Sequence, residues 1–127
     1  MSQSVKAIKR KALKKGVQEY YDHYIVATEM YNLVLYDHHY EMMENALTYH
    51  VNIMNDLKKT FSLLEPIEEG VDIIGIENCI FKTKTERLIL DNYYALQDLR
   101  ELYKELELQF YTLKTASLMD SDDNDTD

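Results

Sequence analysis

An all-α fold, or one nearly so, is predicted by three observations. The chain of 127 residues holds only three glycines, one proline and no tryptophan. Gly16 and Pro66 bracket about fifty residues that contain neither glycine nor proline. Apolar residues then recur at helical spacing in that stretch and again after residue 84. The architecture implied is a long helical hairpin with coiled-coil-like packing, with a small β-hairpin at 71–82 between the helices. The alternative is a compact three- or four-helix bundle. The corresponding divisions are a basic N-terminal arm at 1–16, a helical hairpin or bundle domain at 17–119, and a disordered acidic tail at 120–127.

Residues 4–15 place Val5, Ile8 and Ala12 at helical spacing among Lys6, Lys9, Arg10, Lys11, Lys14 and Lys15. A short basic amphipathic helix of this kind suits a solvated end, a docking arm for an acidic protein or nucleic-acid phosphates, or a contact with a membrane surface. Gly16 marks a joint between this arm and the main helix.

The long stretch carries a heptad row, Val26, Leu33, Tyr40, Leu47, Met54 and Phe61. A second row, Tyr36, Met43, His50, Leu57 and Leu64, falls three residues behind it. Together they form one packed seam. Val17, Tyr21, Tyr24, Tyr31 and Leu35 add a second apolar face, so that from Val17 to Tyr36 the helix is apolar nearly all round and needs more than one neighbour. The stretch reads as one helix or two in line, ended at Pro66, because proline lacks the donor a continuing helix needs. A bend near Asp37-His38-His39 or Asn45 would instead fold it into the bundle.

From Pro66 to Lys84 the period changes. Val71, Ile73, Ile74, Ile76, Cys79, Ile80 and Phe81 form short β-branched runs broken by Gly70, Gly75 and Glu77-Asn78, which predicts the small β-hairpin. The order of long helix, small hairpin and second helix is similar to that of prefoldin β-type subunits. Thr83 and Glu86 then have the spacing of a capping box. The second long helix is expected from about Thr85 to Met119. Its seam is Ile89, Leu96, Tyr103 and Phe110, interleaved with Leu99, Leu106 and Leu113, and its outer face is charged.

A straight hairpin would leave about thirty N-terminal residues, some 45 Å of helix, beyond the end of their partner. That overhang includes the part that is apolar all round, so other chains should cover it. Seven of the eleven tyrosines lie between Tyr20 and Tyr49, and tyrosine combines broad apolar contact with a polar tip. The candidate protein interface is therefore Tyr20, Tyr21, Tyr24, Val26, Met30, Tyr31, Leu33, Leu35 and Tyr36.

The net charge of −9 argues against nucleic-acid binding by the surface as a whole. Nucleic acid is expected only through the N-terminal arm, and no run has the length of a membrane span. The single Cys79 cannot close an intramolecular disulfide, which leaves a soluble, cytoplasmic protein as the expectation. No catalytic or cofactor-binding signature is present. Tyr21-Asp22-His23-Tyr24 and Tyr36-Asp37-His38-His39-Tyr40, with Glu41, Glu44 and His50, could supply imidazole and carboxylate ligands in a bundle. The Glu-x-x-His pairs of di-metal helical sites are lacking, however, so no metal is assigned. The function expected is that of a non-enzymatic, self-associating helical protein that serves as an assembly, structural or adaptor module. The alternatives are a small acidic inhibitor of the kind phages encode, and a metal-binding bundle.

Overall fold

The computed structural model describes residues 2–125, with side chains at 17–67 and 69–119. The chain is all-α: helices α1 (Ser2–Leu35), α2 (Met43–Glu68), the short α3 (Ile73–Asn78) and α4 (Lys84–Asp125), with a single 3₁₀ turn at Tyr40–Met42. No strand occurs among the described residues.

The long stretch is not one helix. It folds back at Tyr36–His39, over the Asp37-His38-His39 bend site and not at Asn45, and the three long helices pack side by side. The extended hairpin with an overhang is thus replaced by the bundle alternative. The cause is local. His38 adopts φ +62°, in the left-handed region that glycine usually fills and that Asn, Asp and His tolerate best among other residues. This turn lets the His39 N–H reach back to the Leu33 carbonyl at 2.9 Å, while Tyr36 and Asp37 N–H groups share the Asn32 carbonyl at 2.9 and 3.2 Å. These bonds use carbonyls of the last turn of α1, and the chain reverses.

Direction follows from the cross-links between helices. Tyr20 pairs with Thr60 and His23 with Tyr49, so α1 and α2 are antiparallel. Asn92 donates to the Leu64 carbonyl and His50 meets Gln109, so α2 and α4 are antiparallel too, and α1 runs parallel to α4. Two apolar clusters fill the interior. Ala27, Ile53, Leu57, Leu99, Leu102 and Leu106 form the larger; Val34, Ala46 and Leu113 form the smaller, near the α1–α2 turn. Truncating Leu57 or Leu106, both fully buried, would cost about 2–5 kcal/mol.

Between the clusters lies a polar layer that joins all three long helices. His50 is fully buried; its Nδ1–H donates to the Ala46 carbonyl at 2.8 Å, and its Nε2 lies 3.1 Å from Gln109 Oε1. The Gln109 amide nitrogen is 3.1 Å from Thr28 Oγ1. Two proton arrangements fit these atoms. A protonated ring donates from both nitrogens. A neutral ring accepts at Nε2 from the Gln109 amide turned end for end, which then takes the Thr28 hydroxyl proton on its oxygen. Either way, a slip of one helix past the others would strand buried polar groups, so the layer fixes the register.

Several boundaries differ from the sequence expectation. Helix α2 continues past Pro66 to Glu68, because a proline in the last turn forfeits one backbone bond where the helix is about to end anyway. Gly70, at φ +74°, then turns the chain. The segment 71–82 forms no β-hairpin. Asp72 caps α3 by accepting the Gly75 N–H at 3.0 Å, and a Cβ at Gly75 would collide with that carboxylate. Ile73 and Ile76, three residues apart on this short helix, are half-buried. With the hairpin absent and the first stretch bent, the likeness to a prefoldin-type layout does not extend to the fold.

The capping box is present as expected. Glu86 N–H donates to Thr83 Oγ1 at 3.1 Å, and Thr83 N–H to Glu86 Oε1 at 2.9 Å. The Thr83 N–H, and then the Thr83 side chain, hold the Glu86 carboxyl below its ordinary value. Helix α4 runs to Asp125, where an acidic disordered tail is expected from Asp120. The side chains of residues 120–125, and residues 126–127 entirely, lie outside the described residues.

Candidate functional site

Most of the tyrosine-rich surface assigned to an interface by sequence is spent on the chain's own core. Tyr20 and Tyr24 pack on the larger cluster, and Met30, Tyr31 and Leu35 on the smaller. Leu33 is half-buried. Because α1 lies against both α2 and α4, a helix that is apolar nearly all round finds its neighbours within one chain. Tyr20 is tied to α2 by a 2.7 Å hydrogen bond between its hydroxyl and Thr60 Oγ1, and His23 Nδ1 lies 3.0 Å from the Tyr49 hydroxyl. Burial is the main reason the Tyr20 and Tyr49 hydroxyls titrate above the ordinary tyrosine value.

A narrower strip of α1 stays outside. Tyr21 and Ile25, one turn apart, are exposed together with Val26, and Tyr36 is exposed where the helix ends. Of the nine candidate interface residues, Tyr21, Val26 and Tyr36 therefore face solvent, and the other six are half-buried. The basic arm lies in the first turns of α1, whose helix is continuous through Gly16, so no joint is formed there. The side chains of Lys6, Lys9, Arg10, Lys11, Lys14 and Lys15 are outside the described residues.

Among the described residues the most exposed apolar side chains lie elsewhere, at the end of the bundle where α2 passes through α3 into α4. Ile80 and Phe81, adjacent in the link between α3 and α4, are 89% and 91% exposed. Ile74 on α3 and Leu63 near the end of α2 are exposed at the same end. Hydrogen bonds flank the exposed pair on both sides. Tyr94 on α4 donates from its hydroxyl to Glu77 Oε1 at 3.2 Å, Lys82 Nζ donates to the Cys79 carbonyl at 2.6 Å, and the Thr83–Glu86 box closes the start of α4. Burial, and then the Glu77 carboxylate, raise the Tyr94 hydroxyl above its ordinary value. Sequence reasoning missed this surface because Ile80 and Phe81 belong to a β-branched run that reads as strand.

The histidines and carboxylates do not converge. The Tyr21–Tyr24 element lies inside α1, whereas Tyr36–Tyr40 forms the reversal, so the two do not share a helix. His38 Nδ1 lies 2.8 Å from the Tyr40 hydroxyl, His39 Nδ1 3.1 Å from Glu41 Oε1, and His50 is enclosed in the core. Backbone hydrogen bonding, and then His39, keep the Glu41 carboxyl below its ordinary value. Among the described residues no three His, Cys, Asp or Glu side chains gather as a metal site, and no helix is long and apolar enough to cross a membrane. A shallow groove on α4, lined by Tyr111, Thr112, Thr115, Ala116 and Met119, lacks any titratable group except the tyrosine.

The fold and surface define a three-long-helix bundle with an apolar knuckle at one end. No protein-family model, curated protein or solved structure matches the chain.

Proposed function

We propose that this chain is a non-enzymatic helical interaction module that self-associates and serves as an assembly, structural or adaptor protein through protein–protein contacts. The observation that carries this reading is the exposure of Ile80 and Phe81 side by side on the knuckle. A large apolar pair held toward water loses its hydration cost only when another surface covers it. The strip of Tyr21, Ile25 and Val26 is a second contact area. The segment Lys6–Lys15 is a separate docking arm for an acidic protein or nucleic-acid phosphates, and a cytoplasmic setting belongs to the same reading.

Solution mass by light scattering across a concentration series tests it. A mass that rises above the 15.1 kDa of one chain supports self-association. A constant mass of one chain sinks it.

One observation favours a second reading. From Gly16 to Leu57 there is no Lys or Arg, and all seven carboxylates in that span, from Glu19 to Asp56, are exposed. A small acidic inhibitor that blocks a basic site on a nucleic-acid-handling protein would present such a face. A complex with a basic enzyme that weakens steeply with salt would bring this reading forward.

A further inference from the structure

We infer that the groove on the C-terminal half of α4 receives the basic first turns of α1 from a second copy of this chain, in a head-to-tail contact. This contact rests on the proposed self-association and gives it two different surfaces.

The groove is one continuous face. Tyr111, Thr112, Thr115, Ala116 and Met119 line it together, as residues three and four apart on a helix do. Leu108 and Leu118 extend it at either end, and these two, Tyr111 and Met119 are each more than half exposed. Between Leu108 and Met119 the only charged residue is Lys114. Its Nζ lies over the Phe110 ring, 5.9 Å from the centroid, on another side of the helix. The small Thr112, Thr115 and Ala116 let the axis of a second helix approach closely.

Charge selects what covers this face. Beyond the Thr28–Gln109–His50 layer, residues 29–49 and 110–125 carry eight carboxylates, against Lys114 and the reversal histidines His38 and His39. Most of the chain's net charge of −9 is therefore at this end. Two such grooves brought face to face would oppose like charges. The complement is a helix that is apolar on one side and cationic elsewhere.

The first turns of α1 have that character. Six Lys or Arg lie between Lys6 and Lys15, and the first carboxylate of the chain is Glu19. Their apolar face is also left over by the chain's own packing. Ala27 and Tyr20, and Tyr24 and Val17, belong to the larger cluster at seven-residue steps; the same steps continue to Leu13 and Lys6, and to Arg10. Val5, Ile8 and Ala12 fall on a different face of α1, off that seam.

Within one chain the two faces stay apart. Helix α1 runs parallel to α4 with Thr28 level with Gln109, so the arm lies on the knuckle side of the layer and the groove on the other. At 1.5 Å per residue they are separated by about 20–50 Å of helix. A second copy brings them together, and because the contact joins unlike surfaces it is heterologous.

The experiment uses the full chain and light scattering. At low salt the wild type is expected above the 15.1 kDa of one chain. It should fall to that mass at about 1 M salt, where the screening length is about 3 Å. Thr115→Arg, at an exposed position in the groove, and Ile8→Glu with Lys15→Glu in the arm are each expected to stay at one chain, with the helical melting curve of Thr115→Arg unchanged. Mixed in equal amounts, these two variants supply one intact arm and one intact groove, and are expected to form a dimer of twice the chain mass. Association that survives Thr115→Arg or high salt overturns the arm–groove contact and leaves self-association standing on another surface. Two monomeric variants that fail to pair when mixed overturn the contact as well. A wild type that stays at one chain at every salt concentration overturns both.

Discussion

His50 Nε2 and Gln109 Oε1 lie 3.1 Å apart in the interior although 59 residues separate them in sequence. Both residues are buried, at 0% and 8% exposure, so neither can fall back on water if the other is removed.

Gln109→Leu is therefore expected to destabilise the bundle by about 1–3 kcal/mol, since it strands a buried ring nitrogen. His50→Leu should cost a similar amount by stranding the Gln109 amide. Combining both with Thr28→Val removes every side chain of the layer and should recover most of the loss. Urea unfolding of the single and combined variants checks this, and strictly additive losses would count against a coupled layer.

Tyr20 and Thr60 bind α1 to α2 through their hydroxyls at 2.7 Å. Tyr20→Phe should lose about 1 kcal/mol. It should also change the alkaline limb of stability. Burial raises the folded-state value of Tyr20 above 10.0, so its contribution is complete below that value and is lost as pH rises through the raised one. Tyr49, raised by burial as well, acts in the same direction. Melting temperatures followed from neutral to strongly alkaline pH should fall less steeply in Tyr20→Phe with Tyr49→Phe than in the wild type.

His38 sits at φ +62° where α1 reverses into α2. A β-branched residue tolerates that conformation poorly, and His38→Val should cost about 1–2 kcal/mol. His38→Gly relieves the backbone and should be neutral or stabilising by up to about 1 kcal/mol. Thermal unfolding of the pair decides the matter. If valine and glycine behave alike, the left-handed turn does not govern the reversal.

Helical periodicity made the class of fold legible, and it found much of the core, including Leu57, Leu96, Leu99, Leu106 and Leu113. The site of the reversal was legible only as one option among two, because Asp37-His38-His39 permits a left-handed residue without demanding one, as glycine would. The 71–82 segment misled for a definite reason. Its β-branched residues favour strands, but a single carboxylate, Asp72, offers the Gly75 N–H a cap and tips a six-residue helix into place. Apolarity shows which faces of α1 must be covered and not by what. Tyr24 and Tyr31 are covered within the bundle, while Ile80 and Phe81, in a run that looked like sheet, are left outside. Gln109 and Asn92 occupy core positions on α4 that an apolar-pattern count passes over.

The dependence of the interior on α4 has a consequence for how the protein is made. Ala27, Ile53 and Leu57 are covered only when Leu99, Leu102 and Leu106 are in place, and Val34 and Ala46 only when Leu113 is. A nascent chain emerging from the ribosome at about 5–20 residues per second spends several seconds with α1 and α2 complete and their seam open. During that interval a chaperone, or a neighbouring nascent chain, competes with α4 for the same groove. Premature termination anywhere before Leu113 would make that open state permanent, so α4 decides whether the seam of α1 and α2 is ever protected.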